Sequence, residues 1–219
     1  MAKNVTLVGI TQSKVPGIFT AEEFISYIAR VSNPSNQMNT LTSKKLIKYL
    51  VDHKHFSPFE HAYITLQIDT TRDIGRQILR HRSFTFQEFS QRYANVDVAD
   101  FFDREARLQD TKNRQNSIEV ENDVLQEQWK ERQKQVEEMA GKAYKWALGI
   151  GIAKEQARVV LPEGLTKTTM YMTGNIRNWL HYCQLRMDKS TQKEHREIAI
   201  QCWDIITQEV PSFKNIIIN

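Results

Sequence analysis

Residues 80–93 read Arg80-His81-Arg82-Ser83-Phe84-Thr85-Phe86-Gln87-Glu88-Phe89-Ser90-Gln91-Arg92-Tyr93, and cations alternate with aromatic rings along this stretch. Phe84, Phe86 and Phe89 are interpreted as core residues, because strand-like alternation usually faces a core. The cluster Arg80-His81-Arg82 contains three basic side chains, which repel one another unless an anion or solvent neutralises them. Glu88 is the nearest acid and lies too far along the run to neutralise all three. The stretch therefore predicts core-facing phenylalanines beside cations that bind an anionic ligand.

Outward from this stretch, helical periodicity and strand-like alternation divide the chain into elements. The spacing of Thr20 and Glu23 predicts a capping box at the start of the first helix, and Thr191 and Glu194 repeat that spacing before the last one. The predicted strands lie at residues 5–10, 62–69 and 166–173. The predicted helices lie near residues 20–31, 46–51, 74–79, 125–148, 175–187 and 191–210, and a further short helix runs through Arg158 and stops at Pro162. Residues 95–122 are polar and aperiodic, which predicts a long surface excursion.

Composition and charge restrict the classes of protein to consider. The chain has 219 residues, of which 40% are hydrophobic, and it shows no internal repeat, so we expect one domain over residues 1–219. The net charge of +4 favours an anionic partner but is modest for a protein that coats nucleic acid. We therefore expect no nucleic-acid partner.

Cysteine usage and hydropathy bear on the compartment. Cys183 and Cys202 are far apart in the chain, which argues against a secreted disulfide scaffold. No run approaches the roughly 18 apolar residues of a membrane span, so we expect no membrane partner. A reducing, cytoplasmic location is the prediction, and for a viral protein this would be the host cytoplasm.

The sequence has no glycine-rich phosphate loop of the G-x-G-x-x-G or G-x-x-x-x-G-K-[ST] type, so side chains must hold any phosphate. Arginine suits this task because its planar fork donates two parallel hydrogen bonds. Two other interpretations remain open at this point. The cations can form a solvated surface, or they can form with the aromatic rings a platform for single-stranded nucleic acid.

Two further groups of residues could carry chemistry. His53, His55 and His61 match none of the common zinc spacings, and we predict no metal site there. After Asn175, polar residues follow one face of a predicted helix, while Cys183 lies on the opposite, apolar face. Cys183 is therefore interpreted as a packed thiol and not as a nucleophile.

The residues described so far resemble the signature of the flavin-dependent thymidylate synthase family, which is Arg-His-Arg followed by Glu-x-Ser-x-Arg-Tyr. Here the signature stands as Arg80-His81-Arg82 and Glu88-Phe89-Ser90-Gln91-Arg92-Tyr93. The resemblance extends to His55-Phe56-Ser57-Pro58-Phe59-Glu60-His61, Ala157-Arg158-Val159-Val160-Leu161-Pro162, Asn175-Ile176-Arg177 and Leu185-Arg186. The excursion is similar to versions found in large DNA viruses and some bacteria. The sequence departs from the family pattern at Gln91, where glycine is common, and at His181, where asparagine is frequent.

The resemblance implies an enzyme that reductively methylates dUMP to dTMP, with methylenetetrahydrofolate as carbon donor and NADPH reducing a bound FAD. It also implies an α+β fold, with helices packed on a central, mostly antiparallel sheet in a single domain, and a homotetramer whose sites are shared between subunits. The alternative is a nucleotide- or single-stranded nucleic-acid-binding module without catalysis.

Site residues follow from the resemblance position by position. Those expected to contact FAD are Ser57, Arg80, His81, Arg82, Glu88, Asn175, Arg177 and His181. Those expected to hold dUMP are Gln77, Arg80, Ser90, Gln91, Arg92, Arg158 and Arg186. Arg186 occupies the position that activates the pyrimidine and is the expected catalytic residue. His55 falls where the family places a gate for folate and nicotinamide.

Overall fold

The computed structural model describes residues 4–216, except for the side chain of residue 215. Its strands are β1 (Val5–Ile10), β2 (Tyr63–Thr71), β3 (Thr85–Glu88), β4 (Arg107–Gln109), β5 (Ser117–Glu119) and β6 (Lys167–Asn175). Its α-helices are α1 (Ala21–Ala29), α2 (Ser43–Asp52), α3 (Arg72–Ile78), α4 (Asp123–Gly149), α5 (Lys154–Ala157), α6 (Ile176–Arg186) and α7 (Lys193–Glu209). Short 3-10 turns include Ser57–Glu60 and Arg158–Val160.

A four-stranded sheet in the order β1-β2-β6-β3 forms the centre of the fold, and every pairing in it is antiparallel. The two central strands pair along their whole length, from Tyr63 opposite Asn175 to Thr71 opposite Lys167. Alternate residues of β2, among them Ile64, are fully buried in the main core together with residues of α6 and α7. The predicted α+β fold is therefore confirmed.

The two predicted capping boxes have different outcomes. At α1 the Thr20 hydroxyl accepts a hydrogen bond from the Glu23 N–H (3.2 Å), and the Glu23 carboxylate accepts one from the Thr20 N–H (3.0 Å), which confirms the first. The second is wrong. The residue that caps α7 is Gln192, without a side-chain cap hydrogen bond, because the Glu194 carboxylate is engaged by Arg107 and by the Gln192 amide instead.

The polar segment 95–122 contains regular structure that the aperiodic sequence did not predict. Strands β4 and β5 pair as a hairpin. The Asp110 carboxylate closes its turn by accepting from the N–H groups of Lys112 (2.8 Å) and Asn113 (3.1 Å). The side chain of Gln126 in α4 bonds to both backbone groups of Ala106, which ties the hairpin to the long helix.

Within residues 4–216, none of the helices combines the length and the apolar character that crossing a bilayer requires.

Candidate functional site

Helix α6 carries Arg186 to the Arg80-His81-Arg82 cluster. Asn175 precedes the helix as its N-cap, and its side-chain oxygen accepts a hydrogen bond from the Asn178 N–H (2.9 Å). Its apolar stripe packs into the core, and the indole N–H of Trp179 donates to the carbonyl of Ile64 in β2 (3.1 Å). Arg186, in the last turn, donates from Nε to Nε2 of His81 (2.9 Å).

Burial and neighbouring positive charge keep the His81 imidazole neutral. Burial, with the nearby charges of Arg186 and His181, lowers the pKa of His81 to about 4. Because Nε2 accepts from Arg186, the ring proton of the neutral imidazole lies on Nδ1. Among the described residues, the two terminal nitrogens of Arg186 form no further hydrogen bond. The guanidinium is therefore held through Nε, and its fork is available to a ligand.

Behind this pair lies a buried polar chain that the sequence reasoning missed. His195 is fully buried in α7, with Nδ1 3.2 Å from Oε1 of Gln77 and Nε2 3.1 Å from the hydroxyl of Tyr182. The Tyr182 ring in turn packs edge-on against His81, with 4.9 Å between centroids. A histidine in phase with Ile198 and Cys202 on an apolar helix face was the signal available in the sequence.

The two neutral imidazoles predict a loss of stability in mild acid. Burial, followed by the charges of Arg186 and His81, lowers the pKa of His195 to about 3, against 6.5 for an ordinary histidine. As the pH falls below 6.5 the unfolded chain binds protons that the folded protein does not, so the free energy of unfolding must decrease. At pH 5 we expect His195 to contribute about 2 kcal/mol of this decrease.

Urea denaturation near pH 7 and pH 5 measures this effect in the wild type and in the His195→Asn variant. The variant lacks the titrating group and should lose less stability between the two pH values. Equal losses in both proteins would show that His195 is not held neutral.

A second group of cations lines a cavity of about 430 Å³ beside α3 and the turn Arg158–Val160. Gln91 is only 4% exposed, and its side-chain Nε2 is buried without a hydrogen-bond partner. Arg158, Arg72 and Arg76 line the same cavity together with the carboxylates of Glu155 and Glu163, and Glu163 forms an ion pair with Arg76. A buried donor without a partner is costly unless something accepts from it, so the cavity suits an anion with several oxygen acceptors.

Sequence reasoning included Gln91 and Arg158 in this second group but missed Arg72 and Arg76. Arg72 lies 3.3 Å from the carboxylate of Glu88, which also accepts from the Thr168 hydroxyl (2.9 Å). Glu88, expected at the cofactor, is thus engaged by residues of its own chain. Both arginines precede Gln77 in the sequence, and only Arg76 falls within the predicted helix near residues 74–79.

The remaining predicted residues lie at the surface. Within residues 4–216, Arg92 reaches the cavity of the second group through Glu155, and none of the others is joined to either group by a side-chain hydrogen bond or an ion pair. Arg177 forms an ion pair with Glu60, which connects α6 to the turn that begins at Ser57. Arg92 lies 3.4 Å from the carboxylate of Glu155. The other exposed members of the set are His55, Ser57, Arg80, Arg82, Ser90 and His181.

No cluster of three or more His, Cys, Asp or Glu side chains with metal-binding geometry occurs in the described part of the chain. His53 instead stacks on Tyr49, with 4.0 Å between ring centroids. Burial, followed by the neighbouring Cys202, raises the pKa of Cys183 well above its ordinary value. The interpretation of Cys183 as a packed thiol is confirmed, because a buried neutral thiol is a poor nucleophile.

Comparison with known proteins gives consistent matches. A protein-family profile described as "Thymidylate synthase complementing protein" matches residues 18–212. The chain is 48% identical over 206 residues to the probable flavin-dependent thymidylate synthase of Paramecium bursaria Chlorella virus 1, covering 94% of each chain. It is 44% identical over 191 residues to the flavin-dependent thymidylate synthase of Synechocystis sp., covering 87% of this chain and 86% of the other.

A solved structure shares the fold. The UMP/dUMP methylase PolB from Streptomyces cacaoi, bound with 5-Br dUMP, superposes with a TM-score of 0.80 at 26% identity, covering 96% of this chain and 93% of the other.

Proposed function

Because this chain belongs to the family of flavin-dependent thymidylate synthases, we propose that it converts dUMP to dTMP by reductive methylation. Methylenetetrahydrofolate supplies the carbon, and NADPH supplies the reducing equivalents through FAD. The observation that carries the proposal is the pair formed by Arg186 and His81, in which a guanidinium is fixed at Nε and keeps its fork for a ligand.

Arg186 is the proposed catalytic residue. When C5 of a uracil ring forms a bond to carbon, negative charge accumulates on the carbonyl and imide edge of the ring. A fixed guanidinium at that edge stabilises the transition state more than the ground state, because the charge develops only during the reaction. Neutral His81 leaves the positive charge of Arg186 undiminished. No thiol nucleophile is needed, in agreement with the buried Cys183.

The cavity around Gln91 is the proposed site of the dUMP phosphate. Gln91 replaces a glycine common in the family and brings a buried donor to the cavity in place of a close backbone approach. Arg158 also lines the cavity and adds positive charge, and Ser90 and Arg92 flank Gln91 in sequence. Gln77 and Arg80 complete the proposed set of dUMP ligands.

The exposed cations fit FAD, whose pyrophosphate is anionic and whose flavin ring is flat. Arg80 and Arg82 form no ion pair with any other described residue, so their charge is available to a ligand. Ser57, His81, Glu88, Asn175, Arg177 and His181 are the other proposed FAD contacts, with His55 at the gate for folate and nicotinamide. Bound FAD supplies the redox chemistry, while the protein binds and orients it.

We also propose that residues 1–219 form one domain that assembles as a homotetramer, with each site built from several subunits. The resemblance to the family supports this assembly. Analytical ultracentrifugation of the flavin-loaded protein tests this assembly, and a monomer would contradict it.

Tritium release from dUMP labelled at C5 tests the reaction, because the C5 hydrogen is lost when the new carbon bond forms. We expect release into water and formation of dTMP only when methylenetetrahydrofolate and NADPH are both present. Purified protein should be yellow with flavin. Colourless protein that releases no tritium, and that binds an oligonucleotide with a steep dependence on salt, would favour the binding module instead.

A further inference from the structure

A continuous chain of hydrogen-bonded side chains runs from the core behind His81 to the β4–β5 hairpin. Its links are Tyr182 to His195 (3.1 Å), His195 to Gln77 (3.2 Å), Gln77 to Gln192 (2.8 Å), Gln192 to Glu194 (3.0 Å), and Glu194 to Arg107. Arg107 lies in β4, so the polar excursion is connected through five partners to the vicinity of Arg186.

Near the hairpin, the hydrogen-bonded route passes through Glu194, whose ionised carboxylate can only accept hydrogen bonds. Burial alone would raise the pKa of Glu194, but the hydrogen bond from Arg107, the Glu194 backbone N–H and the charges of Arg104 and Arg107 outweigh it, and the net shift is downward. Glu194 therefore stays ionised. It forms an ion pair with Arg107, whose side chain is only 11% exposed.

This one acceptor fixes the direction of every other link. Gln192 must turn its NH2 group to Glu194, so its oxygen accepts from Gln77. Gln77 must then turn its own NH2 group to Gln192, and its oxygen accepts from Nδ1–H of His195. The neutral His195 ring accepts at Nε2 from the Tyr182 hydroxyl. Each link thus has one donor and one acceptor, and Nη1 of Arg107, at the hairpin end of the route, is buried without a hydrogen-bond partner.

Gln77 has two Nε2 hydrogens and two lone pairs on its oxygen. The chain uses one of each, which leaves one donor and one acceptor in a fixed arrangement. A free glutamine amide can rotate by half a turn and exchange these two groups. The contacts with Gln192 and His195 prevent that rotation.

We propose that Glu194, held by Arg107 of the hairpin, sets the orientation of the Gln77 amide for dUMP, with Gln192 and His195 as positioning residues. This inference rests on the proposed function, in which Gln77 is a dUMP ligand. It gives the 95–122 segment a role in substrate binding without direct contact with the substrate.

Two replacements of His195 separate positioning from packing. Asparagine places its NH2 group near the Nδ1 position and keeps the donor to Gln77, whereas glutamine reaches the Nε2 position and keeps only the contact with Tyr182. We expect His195→Gln to raise KM for dUMP about tenfold, the effect of one lost hydrogen bond, and His195→Asn to raise it by less than about threefold. Neither variant should change KM for NADPH.

If His195 acted only by packing, His195→Asn would raise KM for dUMP more than His195→Gln, because glutamine fills the buried space better than asparagine. Equal effects, or a larger effect of His195→Asn, would overturn the inference. A wild-type protein that does not turn over dUMP would instead refute the proposed function, so the two failures are distinguishable.

The Glu194→Gln variant tests the same route at its hairpin side. It also provides a test of the proposal if the His195 variants do not fold. An amide that turns its oxygen to Arg107 presents its NH2 group to Gln192, and every link up to Tyr182 must then reverse. We expect KM for dUMP to rise about five- to tenfold with little change in kcat. Lys112→Ala, in the exposed hairpin turn, is the matched control and should behave as wild type. An unchanged KM in folded Glu194→Gln would overturn the inference.

Discussion

Arg186→Lys should remain folded and lose kcat/KM by about two to three orders of magnitude, the usual effect of removing one preorganised donor from a site of developing negative charge. Lysine keeps the positive charge but has neither the Nε–H that bonds to His81 nor the planar fork. Its ammonium is a point charge on a flexible stem. The charge therefore remains in the region while its fixed position is lost.

Tritium release and dTMP formation measure the loss, and flavin absorbance together with thermal unfolding show that the protein is intact. Arg196→Lys is the matched control, since Arg196 in α7 donates to the carbonyl of Lys189 and lies outside the proposed dUMP and FAD contacts. It should retain nearly full activity. Near-normal turnover in Arg186→Lys would remove Arg186 from the proposed catalytic role.

The parts of the Arg186 group carry local signals in the sequence, whereas the proposed catalytic role of Arg186 comes from the family resemblance. The Arg80-His81-Arg82 cluster is visible as a run, and the period of 3.6 residues placed Cys183 on the buried face of α6 and Arg186 at its end. Strand β1 and the first capping box were also predicted correctly, because the forces that form them act within a few residues.

Long-range pairing is what the sequence did not reveal. His195 is separated from Gln77 by 118 positions, and Arg107 from Glu194 by 87. The predicted capping box at α7 failed for the same reason, because a charged partner from the hairpin competes for Glu194 more strongly than a backbone N–H. A local motif predicts local structure only when no distant charge competes for the same atoms.

The site also depends on how closely α6 approaches the sheet. Phe84 fills the space between them, with its ring centroid 4.8 Å from that of Trp179 and 5.9 Å from that of Tyr182. Tyr182 contacts both His81 and His195. Displacement of Phe84 would therefore move the side chains that support Arg186, so packing at the end of β6 and chemistry at the end of α6 are connected.

Gly174→Ala should destabilise the protein by about 3 kcal/mol or more, the upper range for overpacking a core. Gly174 lies in β6 opposite Ile64, and a Cβ atom there would come within 2.4 Å of two carbons of the Phe84 ring. The ring cannot yield easily, because Trp179 and Tyr182 pack against it. Denaturant unfolding measures the loss, and turnover should fall with it because Tyr182 is displaced.

Gly149→Ala is the matched control for this substitution. A Cβ atom at Gly149 meets nothing within 4 Å, and the residue lies at the end of α4. Since alanine is the better helix former, the control should be neutral or more stable by up to about 1 kcal/mol. The same change of glycine to alanine is thus expected to lower the free energy of unfolding at position 174 and to leave it unchanged or raise it at position 149. A stable, active Gly174→Ala protein would show that the contact of Phe84 with β6 does not set the distance between α6 and the sheet.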